Sequence, residues 1–168
     1  MKTLALALAL AIAVPQSSFA YLKFSARTLR GNVVTLRWAP EPVRWFVTER
    51  DASGINAAEF QSAMARGFAT WEAVPTATIS FQFGGFTRAE PFEDDNTSVL
   101  GFQDQPELER VLGATGFVID ALTGEIVESD IFFNTTFEWS TAAGGQTGRF
   151  DLESTAVHEI GHLLGLGH

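Results

Sequence analysis

The sequence predicts an α+β domain in which a mixed sheet carries two helices packed on it. Two observations lead there. Short segments with alternating or β-rich apolar patterns flank two segments whose apolar residues recur at helical spacing, and the order along the chain is strands, helix, strands, helix. The chain has 168 residues, 46% of them apolar and 15 of them Phe, enough for one domain with a sizeable core.

The elements follow in order. Val33 to Trp38 and Val43 to Thr48 are predicted as short strands separated by Pro40 and Pro42, and Asp51 to Gly54 as a turn. A helix begins after Asn56, which can cap it with Glu59 three residues on. Phe60, Met64, Phe68 and Trp71 form one apolar stripe, read as a core face, and Pro75 ends the helix. Thr76 to Phe83 alternates Ala77, Ile79, Phe81 and Phe83 with polar residues, the pattern of a half-buried strand that Gly84-Gly85 would close. Ser98 to Phe102 is another short strand between two acidic loops, Glu90 to Asp95 and Asp104 to Glu109. Val111 to Ile119 and Glu125 to Phe133 are paired strands joined by the turn Asp120 to Gly124. After a Gly-rich loop, Ala142 to Gly148, Asp151 caps a last helix with Glu153 in its first turn, running to about Leu164.

Composition narrows the function. A formal charge of −9 argues against nucleic acid, which needs clustered Lys and Arg. With no cysteine, disulfides, thiolate zinc ligands and cysteine nucleophiles are excluded. Residues 1–20 read as a secretory signal peptide. Lys2 precedes the apolar run Leu4 to Val14, and Ser18-Phe19-Ala20 offers small residues for cleavage. The run is too short to span a bilayer comfortably, so residues 21–168 are expected as one exported domain, extracellular or periplasmic, without a membrane anchor once the signal is removed.

The chemistry concentrates in the last eleven residues, His158-Glu159-Ile160-Gly161-His162-Leu163-Leu164-Gly165-Leu166-Gly167-His168. His158 and His162 stand four apart, so on a helix their imidazoles share one face. Gly165 can take a left-handed conformation, end the helix and turn the chain so that His168 returns to the same ion. Three histidines leave a fourth zinc position open, the arrangement of a catalytic site. Glu159 directly follows the first ligand and is placed to take a proton from a water activated by the metal and pass it to the leaving amine. A chance match to the extended pattern is on the order of one in 10⁵, and all three histidines of the chain lie in it.

These residues carry a resemblance. The chain resembles metzincin peptidases and, within them, the matrixins, the group that contains the matrix metalloproteinases. Asp151 to His168, DLESTAVHEIGHLLGLGH, is similar to the matrixin active-site helix throughout. Phe68 to Val74 followed by Ile79 to Phe81 resembles the family's first helix and second strand. Gly124 to Ile131, with Phe133-Asn134 and Trp139-Ser140, resembles the later strand and the stretch after it. The short form looks like bacterial members, and the likeness covers residues 30–168. It implies a metzincin fold, a twisted mixed five-stranded sheet on two helices with the active-site helix at the C-terminal end. It also implies a monomeric zinc metalloendopeptidase acting on extracellular protein or peptide substrates. The substrate would lie extended against an edge strand within Val111 to Phe117.

The pattern also departs from the family. With no cysteine, latency through a prodomain cysteine is not expected, and with no further histidines one zinc per chain is expected. Asp94, Asp95, Asp104 and Glu107 are candidate Ca2+ ligands, against the commoner reading of solvated acidic loops. The family continues past the third histidine to a methionine-containing turn. The methionines here are Met1 and Met64, so the sequence is expected to be C-terminally incomplete or to lack the floor of its site. Two other functions compete with a peptidase: a zinc-binding module without catalysis, and a carbohydrate- or matrix-binding domain using Trp45, Trp71 or Trp139. Asn96 and Asn134 head Asn-x-Ser/Thr sequences, which matter only in a host that glycosylates.

Overall fold

The computed structural model describes residues 22–168. The predicted signal peptide, residues 1–20, lies outside the described residues. No described helix is long and apolar enough to cross a membrane.

The elements are β1 (Leu22–Lys23), β2 (Ser25–Arg27), β3 (Val33–Thr35), β4 (Arg37–Trp38), β5 (Val43–Thr48), α1 (Ala57–Glu72), β6 (Phe81–Thr87), β7 (Ser98–Gln103), β8 (Gly113–Ile119), β9 (Glu125–Asn134), β10 (Trp139–Ser140), β11 (Phe150–Asp151), α2 (Leu152–Leu163) and β12 (Leu166–Gly167). The main sheet runs β4-β9-β7-β5-β6, and β8 pairs with β9 alone. β6, β5, β7 and β9 are mutually parallel and β8 is antiparallel to β9. These are the five strands expected from the resemblance. A sixth, the two-residue β4, joins the start of β9 through Arg37↔Glu125 and Trp38↔Ile126.

Two predicted strands are corrected. Val33 to Trp38 is split at Leu36, whose N–H donates to the Phe24 carbonyl and whose side chain is buried, so β3 pairs with β2 while β4 joins the main sheet. Thr76 to Phe83 is shifted, because β5 begins at Val43 and its partner on β6 is Phe81; Ser80 O accepts from Val43 N, and residues 76–79 lie outside the strand. Gly84-Gly85 does not close β6. A bulge sits there: Trp45 pairs with Phe83 and Phe46 with Gly85. A Cβ at Gly84 would overlap the Phe46 ring at 2.4 Å, and Gly85 holds φ +124, open in practice to glycine.

α1 starts as its cap predicts. The Asn56 side chain accepts from Ala58 N and Glu59 N, and Glu59 accepts from Asn56 N, each at 3.0 Å; such a box stabilises the end by about 1 kcal/mol. The apolar stripe puts Phe60, Met64 and Phe68 into the core against Phe102, Phe133, Trp45 and Trp139. Each such buried side chain contributes about 1.5–3 kcal/mol. α2 supplies Leu152, Ala156, Ile160 and Leu163 to the same core. The helices touch closely where Gly161 faces Trp71, whose indole N–H donates to Val157 O at 2.8 Å. Arg66 of α1 also pairs with Glu153 of α2 at 2.5 Å.

Two buried side chains on β9 hold loops beside β8. The Asn134 amide donates to the carbonyls of Gln105, Leu108 and Val111 at 3.0–3.2 Å and so sets the segment leading into β8. Asp130 accepts from Phe92 N at 2.6 Å and Val99 N at 2.7 Å. Burial pushes its pKa up to about 6, against the two backbone donors, with Glu128 and Asp95 adding repulsion.

Candidate metal centre and its cleft

α2 starts where Asp151 accepts from Ser154 N at 2.7 Å. With Ala156 and Ile160 turned to the core, His158 and His162 fall together on another face, one turn apart. The helix stops because Gly165 takes φ +83, and its N–H donates to His162 O at 2.7 Å. The Trp38 indole N–H satisfies Leu163 O at 2.8 Å. The chain then turns back as β12, pairs with β1 through Leu22↔Gly167 and Lys23↔Leu166, and delivers His168.

The three histidine Nε2 atoms converge. His158 lies 3.2 Å from His162 and 3.0 Å from His168, and one ligand atom from each residue falls within 4.8 Å of the others. Tetrahedral zinc with bonds of about 2.0–2.1 Å holds its nitrogens about 3.3 Å apart, so the donor set fits one such ion. His162 Nδ1 lies 2.8 Å from Leu166 O. A carbonyl only accepts, so Nδ1 carries the proton and the Nε2 lone pair faces the centre.

The Glu159 carboxylate meets Thr115 of β8 and is buried, in the same cleft as the three histidines. Its Oε2 accepts from the Thr115 hydroxyl at 2.7 Å, and that hydroxyl also lies 3.0 Å from the Glu159 main-chain oxygen. A cleft of about 800 Å³ runs between β8 and α2, lined by residues 110–115 and Phe117 on one side and by α2 with His168 and Phe24 on the other.

β8 is an edge strand. Asn134 N donates to Leu112 O at 2.8 Å. By antiparallel alternation the groups bonded to β9 then belong to Ala114, Gly116 and Val118, and the main-chain polar groups of Gly113, Thr115 and Phe117 point outward along the free edge.

All four residues singled out by the sequence pattern, His158, Glu159, His162 and His168, are thus brought to one cleft. The sequence pattern singles out neither Thr115 nor Phe24. Thr115 carries a signal only once β8 is paired in register, and Phe24 none at all. Among the described residues, Asp94, Asp95, Asp104 and Glu107 form no shared ligand cluster. Asp95 instead accepts from Thr97 N, and Asp104 from the Thr135 hydroxyl. Trp45 and Trp139 are buried, and Trp71 is half-buried with its N–H bonded, so none offers an open platform for a sugar. The Asn134 side chain is buried and fully engaged, which closes that sequence to glycosylation in the folded protein.

The family model described as Matrixin matches residues 37–168. Metalloendoproteinase 1 of Glycine max is 33% identical over 124 residues, which is 65% of this chain and 34% of that protein. Metalloendoproteinase 2-MMP of Arabidopsis thaliana is 34% identical over 123 residues, 66% of this chain and 28% of that protein. The chain therefore spans about a third of the length of the curated relatives it matches. Matched by the Matrixin model from the first residue of β4 through the three converging histidines, the chain belongs to the matrixin family.

Proposed function

We propose that residues 21–168 form a zinc-dependent metalloendopeptidase domain that hydrolyses peptide bonds of proteins outside the cytoplasm. The observation that carries this reading is the convergence of the His158, His162 and His168 Nε2 atoms beside the buried carboxylate of Glu159. The names of the plant relatives support the same activity.

His158, His162 and His168 would hold one zinc, which when bound supplies a Lewis acid for the scissile carbonyl and the attacking water. Glu159 takes a proton from that water and returns it to the leaving amine, so the new C–O bond forms and the C–N bond breaks without a covalent enzyme intermediate. Thr115 orients the carboxylate through its 2.7 Å bond. The peptide adds as a strand to the free edge of β8, held by the outward groups of Gly113, Thr115 and Phe117.

Glu159→Gln separates this reading from a non-catalytic zinc module. Peptide cleavage is expected to fall by about 10²–10⁴ while zinc content, read by atomic absorption, stays at one per chain. Equal and unmeasurable cleavage in both proteins when zinc-loaded would leave the module reading standing. Docking on the edge is tested on the substrate. Replacing one backbone amide facing β8 by an ester removes a donor and is expected to weaken kcat/KM about tenfold. An ester scan without effect at any position would remove β8 from the binding site.

A further inference from the structure

Residues 22–36 precede the family match, which begins at residue 37, yet they reach the cleft. The segment is fixed by its main chain. β1 pairs with β12, Phe24 N donates to Gly165 O at 2.8 Å, and Leu36 N donates to Phe24 O at 2.9 Å. These bonds leave the side chain of Phe24 free to serve something other than anchoring. Its ring lies 5.6 Å from that of Phe117, tilted by 50°, and 6.1 Å from the imidazole of His162. Gly167 permits the approach, since a Cβ there would sit 3.2 Å from the Phe24 ring.

Phe24 is not part of the core cluster and remains 36% exposed while lining the cleft. Phe117 follows Thr115 by two residues on β8, so its side chain shares the face that meets Glu159. The cleft is therefore bounded by two aromatic rings at the end of β8 beyond Thr115, and by the Arg110 segment at the other. A peptide drawn along the edge of β8 passes the rings on the His162 side of the histidine cluster.

We propose that Phe24 and Phe117 form an aromatic subsite that selects an apolar side chain of a peptide lying along β8. This rests on the metallopeptidase reading above. Phe24 acts on specificity, and its contribution comes from a segment outside the part of the chain that matches the family.

The test uses the zinc-loaded full chain and a set of peptides carrying Phe, Leu, Ser or Gly at one position at a time. At one position the wild type is expected to favour Phe or Leu over Gly by about tenfold in kcat/KM, the scale of one apolar side-chain contact. Phe24→Ala should bring that ratio close to one, mainly through KM, with zinc per chain at the wild-type value, and Phe24→Leu should restore most of it. Binding of the same peptides to Glu159→Gln, with and without Phe24→Ala, should show the same preference and the same collapse. A ratio that Phe24→Ala leaves unchanged overturns the subsite. So does a proportional loss for every peptide, or loss of zinc, since either reduces Phe24 to a prop for the ligand loop. If the wild type cleaves nothing while Glu159→Gln still prefers apolar peptides through Phe24, the peptidase reading fails and the subsite stands. Absence of peptide binding overturns both.

Discussion

The imidazole of His162 is held through Nδ1, whose N–H donates to Leu166 O, and its Nε2 lies 3.2 Å from that of His158. Glu159, one position after His158, is anchored across the cleft by a hydroxyl from another element. Thr115→Val keeps the shape of the side chain and removes that bond. Removing a hydrogen bond to a carboxylate is expected to lower kcat by about 10–100-fold, with KM and zinc affinity near their wild-type values. Stopped-flow or initial-rate kinetics beside a zinc competition assay checks this. A Thr115→Val enzyme of wild-type kcat would show that Glu159 is oriented by something else. At this scale the sequence was informative where spacing alone forces proximity. Spacing alone pairs His158 with His162, because a helix places residues four apart on one face. The Thr115–Glu159 contact spans 44 positions and depends on how β8 meets α2, which no local pattern encodes.

Among the elements, α1 and α2 were legible because their caps and apolar periodicity agree. The Asn56–Glu59 box and the Asp151 cap are both formed. β6 lies further along than its alternation suggests, because alternation marks an extended segment and does not say which of its residues find a partner strand. β1 and β2 have two and three residues and owe their existence to pairing with β12 and β3. The clamp on β9 gives an element-scale prediction. The Asp130 pKa is raised from 3.8 to about 6 by burial, so folding takes up a proton there between those values. Its contribution to stability is fully present below pH 4 and is lost as pH rises through about 6. Thermal melts of wild type and Asp130→Asn at several pH values should therefore show the wild-type advantage shrinking from pH 4 to pH 7. Parallel melting curves across that range would mean that Asp130 titrates as an ordinary carboxylate.

Across the whole molecule, the candidate site joins both ends of the described chain to the β8 edge of the sheet. β1 clips β12, Trp38 closes the end of α2, and β8 covers Glu159. An ion bound by residues from a helix and the turn after it stabilises only the folded arrangement. Zinc at roughly a hundred times its Kd should add about 2.7 kcal/mol, which for a domain of this size is about 5–10 °C in Tm. Chelation should remove that increment and added zinc restore it, read by calorimetry. Glu159→Gln should behave like the wild type, and His162→Ala should not respond to zinc. A wild-type Tm indifferent to chelator would exclude a bound ion at the three histidines.

The sequence by itself determined the two helices and their caps, the β8–β9 pair with its turn, the triad of histidines and the neighbouring glutamate, because each rests on periodicity or spacing within a few residues. Only the tertiary structure decided which strands align in the sheet, that Thr115 holds Glu159, and that Phe24 stands at the cleft beside Phe117. Those are contacts between segments distant in sequence, fixed by the packing of a common core and by strand pairing, and no stretch of the chain read alone contains them.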